Sequence, residues 1–153
     1  MDPDEARRRF ARSRVARLAT VGPDGAPHLV PIVFALEGDR IWSAVDHKPK
    51  RTTALRRLAN VAANPRVAVL ADHYDDEDWE ALWWVRADGE ARVLRTDDPA
   101  AERDRARAVA ALVDRYALYR RRPPAGSAIA IDVLRWTGWS AGDRGGPGGS
   151  SPA

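Results

Sequence analysis

Short β-compatible runs separated by tight-turn residues dominate the first third of the 153-residue sequence. VARLATV begins at Val15 and HLVPIVFAL begins at His28, and the GPDGAP between them supplies the proline and glycine that a turn requires. EGDR, at 37–40, predicts a second turn, and IWSAV follows it as a third run. Because strands joined by such short turns pair antiparallel, the sequence predicts an antiparallel sheet from its first fifty residues.

Four further strands and the helices are predicted downstream. RVAVLAD is a buried strand that leads into the acidic stretch DHYDDEDWE, and EALWWVRADGEARVL has the pattern of a hairpin turning at Asp88-Gly89. SAIAIDVLRWTGW alternates as the last strand. Helical spacing marks TTALRRLANVAANP and the segment from Pro99 to Pro123, and residues 4–14 predict a short helix that lays Phe10 on the body. Seven strands with hairpin connections favour a mainly β, α+β fold: a six- to seven-stranded antiparallel barrel with peripheral helices.

Composition limits the chemistry that the side chains can supply. The sequence has no cysteine and three histidines, so a thiol nucleophile is excluded and a zinc site is not expected. No run approaches the roughly 20 apolar residues of a membrane span, and the N-terminus is charged, which predicts a cytoplasmic protein.

We expect one domain over 1–140 and a disordered Gly/Ser/Pro-rich tail over 141–153. The net charge of +3 is spread among interleaved acids, so nucleic acid is not an expected partner.

The segment HKPKRT, at 47–52, concentrates positive charge where a predicted strand meets a predicted helix that starts near Thr53. It holds both lysines of the chain, Lys48 and Lys50, beside Arg51 and Thr52. A helix N-terminus offers unpaired N–H groups and the positive end of the helix dipole, so such a junction suits a phosphate. A solvated basic turn with an ordinary threonine cap explains the same residues equally well from spacing alone.

The order of these motifs resembles the pyridoxamine-phosphate-oxidase-like flavin and deazaflavin oxidoreductases. The likeness lies in the R-L-A-T strand, the P-D-G turn, a strand with V-P, the K-x-K-R-T junction, a helix with L-R-R-L and N-P, and the ending AIAIDVLRWTGW. It covers roughly residues 10 to 95 and is most similar to the actinobacterial branch that uses coenzyme F420. Many members have K-x-R-N-L at the junction, whereas this chain has Arg51-Thr52-Thr53-Ala54-Leu55, so the charge is shifted.

The resemblance implies a split β-barrel that binds F420, or alternatively FMN, between two identical subunits. It also implies a hydride transfer to a small organic substrate in which no side chain is assigned as catalytic. The residues implied in coenzyme binding are Arg17, Ala19, Thr20, Val30, Pro31, Ile32, His47, Lys48, Lys50, Arg51, Thr52, Trp84, Trp136 and Trp139, and Trp83 is a further candidate for the pocket wall. The tryptophans could instead be core residues, and the protein could bind flavin or haem without turnover.

The other histidines and the acidic stretch are weaker candidates. His28 begins a predicted strand, and a packed or solvent-facing role is favoured over catalysis. His73 lies in the acidic stretch and is favoured as a bystander. The five acidic residues between 72 and 78 favour a solvated loop or pocket lid over a divalent cation site.

Overall fold

A computed structural model describes residues 1–45 and 51–143, and for 51–55 it describes the backbone alone. In this part of the chain, seven strands form one antiparallel sheet in the order β2-β1-β5-β6-β7-β4-β3. The strands are β1 (Ala16–Val21), β2 (Pro27–Ile32), β3 (Ala35–Glu37), β4 (Arg40–Ala44), β5 (Arg66–His73), β6 (Trp83–Leu94) and β7 (Ala128–Ser140). The helices are α1 (Pro3–Arg12), α2 (Arg51–Ala63), α3 (Glu102–Arg115) and α4 (Ala117–Arg121).

The two outermost strands of this sheet follow each other directly in the chain. Val33 and Phe34 alone separate the end of β2 from the start of β3. Three Cα steps can span at most about 11 Å, so the sheet must curl until its two ends meet. The result is a barrel with a seam between β2 and β3, and the predicted mainly β split-barrel fold is confirmed.

Helices close the barrel at both ends and cover part of its outside. At one end α1 inserts Ala6 and Phe10, both fully buried, with the Phe10 ring 4.5 Å from Phe34 and 5.1 Å from Trp136 between ring centroids. This helix starts where Asp2 accepts the N–H of the third helical residue through its carboxylate. At the other end α2 packs against β1 and β6. Outside the barrel, α3 packs against β3, β4, β6 and β7 and forms a second core.

The predicted hairpin at Asp88-Gly89 was wrong, because β6 continues through both residues as one strand. A β-bulge at this point shifts the register with β7, and Leu134 is the extra residue that finds no partner on β6. A Cβ on Gly89 would lie inside van der Waals contact of the Asp132 carbonyl oxygen and 3.1 Å from its carbonyl carbon. The glycine is therefore needed for close approach of the β7 backbone.

Two other predicted elements are each divided in the structure. HLVPIVFAL forms β2 and β3, because the Tyr116 hydroxyl holds both the N–H and the C=O of Phe34 and the Ser43 hydroxyl donates to the C=O of Val33. The predicted long helix breaks into α3 and α4 at Tyr116, whose backbone is extended at φ −119° and ψ 120°. The strand count stays at seven because one predicted strand became two and one predicted hairpin became one strand.

The structure describes the first three residues of the predicted disordered tail. Ala141–Asp143 form a 3-10 turn, and Ala141 is buried. The rest of the predicted tail, 144–153, lies outside the described residues. Within the described ranges, every helix is too short or too polar to cross a membrane.

The bulge predicts that Gly89→Ala destabilises the protein by about 2 kcal/mol or more, because the added methyl group displaces the β7 backbone. Urea unfolding followed by circular dichroism measures the change. Gly126→Ala is the matched control, since a Cβ there meets nothing closer than the Val45 oxygen at 3.8 Å, and we expect it to change stability by less than about 0.5 kcal/mol. Equal stability of the two variants would contradict the role given to the bulge.

Candidate functional site

The helix α2 closes one end of the barrel, where it packs against β1 and β6. The helix connects β4, which lies on one side of the seam, to β5, which lies on the other side. Its second half is fixed beneath β1, where the Asn60 amide donates a 3.1 Å hydrogen bond to the Thr20 hydroxyl. Both side chains are buried. The second half of α2 is therefore fixed to the barrel through β1.

The basic segment of the sequence leads directly into this helix. α2 begins at Arg51, two residues before the start expected at Thr53, so Arg51 and Thr52 belong to its first turn. That turn contains no acidic residue, and its backbone N–H groups have no partner inside the helix. His47, Lys48 and Lys50 lie outside the described residues, as do the side chains of Arg51 and Thr52. This 13-residue helix is preceded by basic residues and has no acidic residue in its first turn. Its N-terminus can therefore hold an oxyanion.

The edge of β2 that faces the seam has few free N–H donors. Gly22 donates to the carbonyl of Ala26, and hydrogen-bonded pairs alternate along an antiparallel ladder. The backbone groups of His28, Val30 and Ile32 are therefore directed at β1, and those of the residues between them are directed at the seam. Both prolines of β2 occupy seam-facing positions, as expected for an edge strand.

The three β2 residues that were implied in coenzyme binding do not all face the same side of the barrel. The side chains of Val30 and Ile32 are buried in the barrel core, whereas Pro31 is exposed and directs its carbonyl at the seam. Leu29, which sequence reasoning missed, shares the seam-facing edge and leaves its side chain 66% exposed on the outer face. Its position immediately before the V-P pair, on a strand of alternating pattern, was the available signal.

The three predicted β1 residues occupy both faces of the strand. Arg17 and Ala19 are half-buried on the outside of the barrel, and the Arg17 guanidinium pairs with the carboxylate of Asp72. Thr20 faces the interior and accepts the hydrogen bond from Asn60. Arg17 and Ala19 are available to a ligand on the outer face, whereas the Thr20 side chain holds α2 in place.

The tryptophans divide into an outward pair and an inward pair. Trp84 and Trp139 are cross-strand partners on the outer face. Trp136 faces inward, where its indole N–H donates to the Asp39 carboxylate at 2.9 Å and its ring packs against Phe10. Trp83 also faces inward and stacks on His73 at 6.1 Å between ring centroids. The structure therefore brings Trp84 and Trp139 together and places Trp136 in the core beneath α1.

A surface of mixed apolar and charged side chains, which we call the open face, covers the outside of β2, β1, β5 and the adjoining halves of β6 and β7. It also carries two groups of ion pairs: Arg17 pairs with Asp72, and the Asp88 carboxylate accepts hydrogen bonds from Arg86 and Arg135 at 3.1 Å each. Its apolar and aromatic members are Ala19, Leu29, Pro31, Ala68, Leu70, Trp84 and Trp139. The described helices contact the sheet at its ends and over β3 and β4, and they leave this face bare.

His28 differs from the packed or solvated residue that the sequence favoured. Its side chain faces inward opposite Thr20 at the α2 end of the barrel, and its Nδ1 atom is buried without a hydrogen-bond partner among the described residues. Burial lowers the pKa of His28, and the positive charges of Arg56 and Arg57 lower it further. His28 is therefore neutral near pH 7.

The acidic stretch makes several hydrogen bonds within itself. The carboxylates of Asp75 and Asp78 accept the backbone N–H groups of Glu77 and Glu80 at 2.9 and 3.1 Å. Among the residues that the structure describes, no three histidines, aspartates or glutamates converge in a way that could hold a metal ion. The stretch supplies an exposed loop beside the open face.

Comparison with known proteins gives concordant results. A family model described as pyridoxamine 5'-phosphate oxidase matches residues 2–140. A curated 5a,11a-dehydrotetracycline/5a,11a-dehydrooxytetracycline reductase of Streptomyces rimosus is 36% identical over 80 residues, which are 52% of this chain and 55% of that protein. This chain thus matches about half the length of that relative.

Solved structures show the same fold at low sequence identity. A conserved hypothetical protein of Mycobacterium tuberculosis is 24% identical with a TM-score of 0.70, and the match covers 100% of this chain and 93% of that one. An FAD-binding protein of Mesorhizobium loti is 22% identical with a TM-score of 0.66, and the match covers 90% and 94% of the two chains. At these identities the likeness is one of fold.

Proposed function

The chain belongs to the pyridoxamine 5'-phosphate oxidase family, and from that membership we propose that it is an oxidoreductase that uses coenzyme F420. FMN is the alternative coenzyme. The observation that carries the proposal is a helix N-terminus without acidic residues in its first turn, which follows the basic segment of the sequence. A phosphorylated coenzyme has the charge that this site would hold. The similarity to an S. rimosus reductase and to an FAD-binding protein supports a flavin or deazaflavin at this position.

The residues of this chain would bind and orient the coenzyme. Lys48, Lys50, Arg51 and Thr52 would hold its phosphate, and the seam-facing carbonyl of Pro31 would accept a hydrogen bond from its ring. A bound deazaflavin ring supplies hydride transfer to an electron-poor carbon, while a proton from solvent completes the reduction. We assign no side chain as a proton donor, and the protein's contribution is orientation and exclusion of water.

The open face supports a homodimer as the form that binds coenzyme. Leu29 and Trp139 are 66% and 39% exposed on it, and large apolar side chains exposed on one face are often covered by a partner. A second copy of the chain would cover Trp84 and Trp139 and enclose the seam edge of β2. The coenzyme would then be bound between two subunits, and a small organic substrate would enter beside the acidic loop.

Fluorescence titration of the purified apo-protein with F420, and in parallel with FMN, tests the proposal. We expect saturable binding of F420 at one coenzyme per chain, with weaker binding of FMN, and sedimentation of the complex as a dimer. Preference for FMN would reassign the coenzyme. Binding of neither compound would contradict the proposed activity and leave only the family membership.

A further inference from the structure

An apolar groove of about 500 Å³ lies beside α3, the helix that packs over β3 and β4. Val109 and Val113 of α3 line one wall of the groove, and Pro123, Pro124 and Ala125 line the other. Both valines are half-buried. Prolines carry no N–H, so the second wall offers water few donors. A group that covered the groove would therefore remove mainly apolar surface from water.

The ridge of α3 beside this groove has two small residues between two opposite charges. Ala106 and Ala110 are exposed on it, and side chains of this size let another helix approach closely. Arg103 precedes them and Asp114 follows them, eleven residues apart. Eleven residues are about three helical turns, so Arg103 and Asp114 lie on one line along the helix.

The other charged residues of α3 all have partners within the described ranges, whereas Arg103 and Asp114 form no ion pair or side-chain hydrogen bond there. The partnered residues are Glu102 with Arg105, Asp104 with Arg92, Arg107 with Glu37, and Arg115 with the carbonyls of Ala11 and Ser13. A helix dipole favours acids near the N-terminus and bases near the C-terminus. Arg103 and Asp114 have the opposite order, so these two charges do not stabilise their own helix.

We propose that α3 packs antiparallel against α3 of a second copy of the chain, around a two-fold axis between Ala106 and Ala110. Arg103 of each copy then lies against Asp114 of the other copy, and the alanine ridge of each copy covers the groove of the other. The contact is symmetric, so both copies use the same surface. A parallel arrangement would bring Arg103 against Arg103 and Asp114 against Asp114, and the charges therefore select the antiparallel one.

This contact is separate from the proposed coenzyme-binding dimer. It uses the helix that covers β3 and β4, whereas the open face lies over β2, β1 and β5. A chain with two different symmetric interfaces assembles into a closed group of four. The inference does not rest on the proposed function, because no part of the α3 surface is assigned to the coenzyme.

Sedimentation equilibrium of the full chain over a series of concentrations tests the contact. Ala110→Glu places a charged side chain on the ridge and should weaken the α3 contact at least about 100-fold. We expect particles of this variant to contain half as many chains as wild-type particles. Ala62→Glu is the matched control, because Ala62 is an exposed alanine of α2, and it should leave the assembly unchanged. Circular dichroism checks that both variants are folded.

Charge exchange tests the antiparallel arrangement. Arg103→Asp and Asp114→Arg each place like charges together at both ends of the contact, so each should weaken association about tenfold. Combining the two substitutions in one chain restores opposite charges and should restore association. An equal mixture of the two single variants should also associate, since each variant supplies the charge that the other lacks. Failure of both the combined variant and the mixture to associate would contradict the antiparallel contact.

Two other outcomes would overturn the proposal. One is that wild-type particles contain the same number of chains as Ala110→Glu particles. The other is a small apolar molecule that native mass spectrometry finds on wild-type chains and not on Ala110→Glu, because the groove would then be a ligand site. Coenzyme affinity of Ala110→Glu should stay within about twofold of the wild type. If no coenzyme binds to either protein, the proposed function fails, and sedimentation still decides the α3 contact.

Discussion

Replacing Lys48 and Lys50 together with alanine is expected to weaken coenzyme binding about 100-fold while the protein stays folded. A hydrogen bond to a charged group contributes about 1.5 to 3 kcal/mol, so the loss of two such bonds removes at least about 3 kcal/mol of binding free energy. The fold should be unaffected because the predicted position of both lysines is a loop. Fluorescence titration with F420 measures the affinity, and far-ultraviolet circular dichroism checks the fold.

The control for this double variant is removal of the same charge elsewhere. Arg103→Ala combined with Arg121→Ala alters two exposed helical residues far along the chain. We expect this control to bind the coenzyme with an affinity within about twofold of the wild type. If the lysine variant also binds normally, Lys48 and Lys50 do not hold the phosphate.

Phe10→Ala is expected to lower the free energy of unfolding by about 3 to 5 kcal/mol. The Phe10 ring is fully buried and contacts Phe34 and Trp136, so its loss leaves a cavity between α1 and the barrel. For a domain of this size we expect the melting temperature to fall by about 10 °C. Thermal and urea unfolding measure the two quantities.

Leu118→Ala removes a similar apolar group from an exposed position on α4, where the side chain is 73% exposed. It should change stability by less than about 0.5 kcal/mol. Equal effects of the two substitutions would mean that α1 does not plug the barrel in solution. The first residues of the sequence predicted this role for Phe10, since it is the large apolar residue of an otherwise charged segment.

Local patterns predicted the strands well and their connections less well. Asp88-Gly89 has the composition of a hairpin turn, and sequence alone cannot show that β7 passes so close to Gly89 that a side chain is excluded there. The division of HLVPIVFAL was equally hidden, because it depends on Tyr116, which is 82 residues away from Phe34. In both cases a distant segment of chain decides the local structure.

The candidate site likewise combines features that local sequence predicts with features that depend on distant contacts. The basic segment and the start of α2 were predictable because charge and helix position are local properties. Strand periodicity requires that the neighbouring residues Trp83 and Trp84 face opposite ways. It could not tell which of them is covered, since that depends on where α1 packs. The burial of the His28 Nδ1 atom could not be predicted for the same reason, because it depends on contacts between distant segments of the chain.

The two prolines of β2 also bear on how this protein avoids aggregation. A strand at the margin of a sheet can recruit a strand from another molecule through its free N–H and C=O groups. Pro27 and Pro31 delete two of the N–H groups along this margin, so an incoming strand would lose part of its ladder. The carbonyls remain available to a small ligand. The barrel can therefore keep one margin accessible for binding without offering a template for fibril growth.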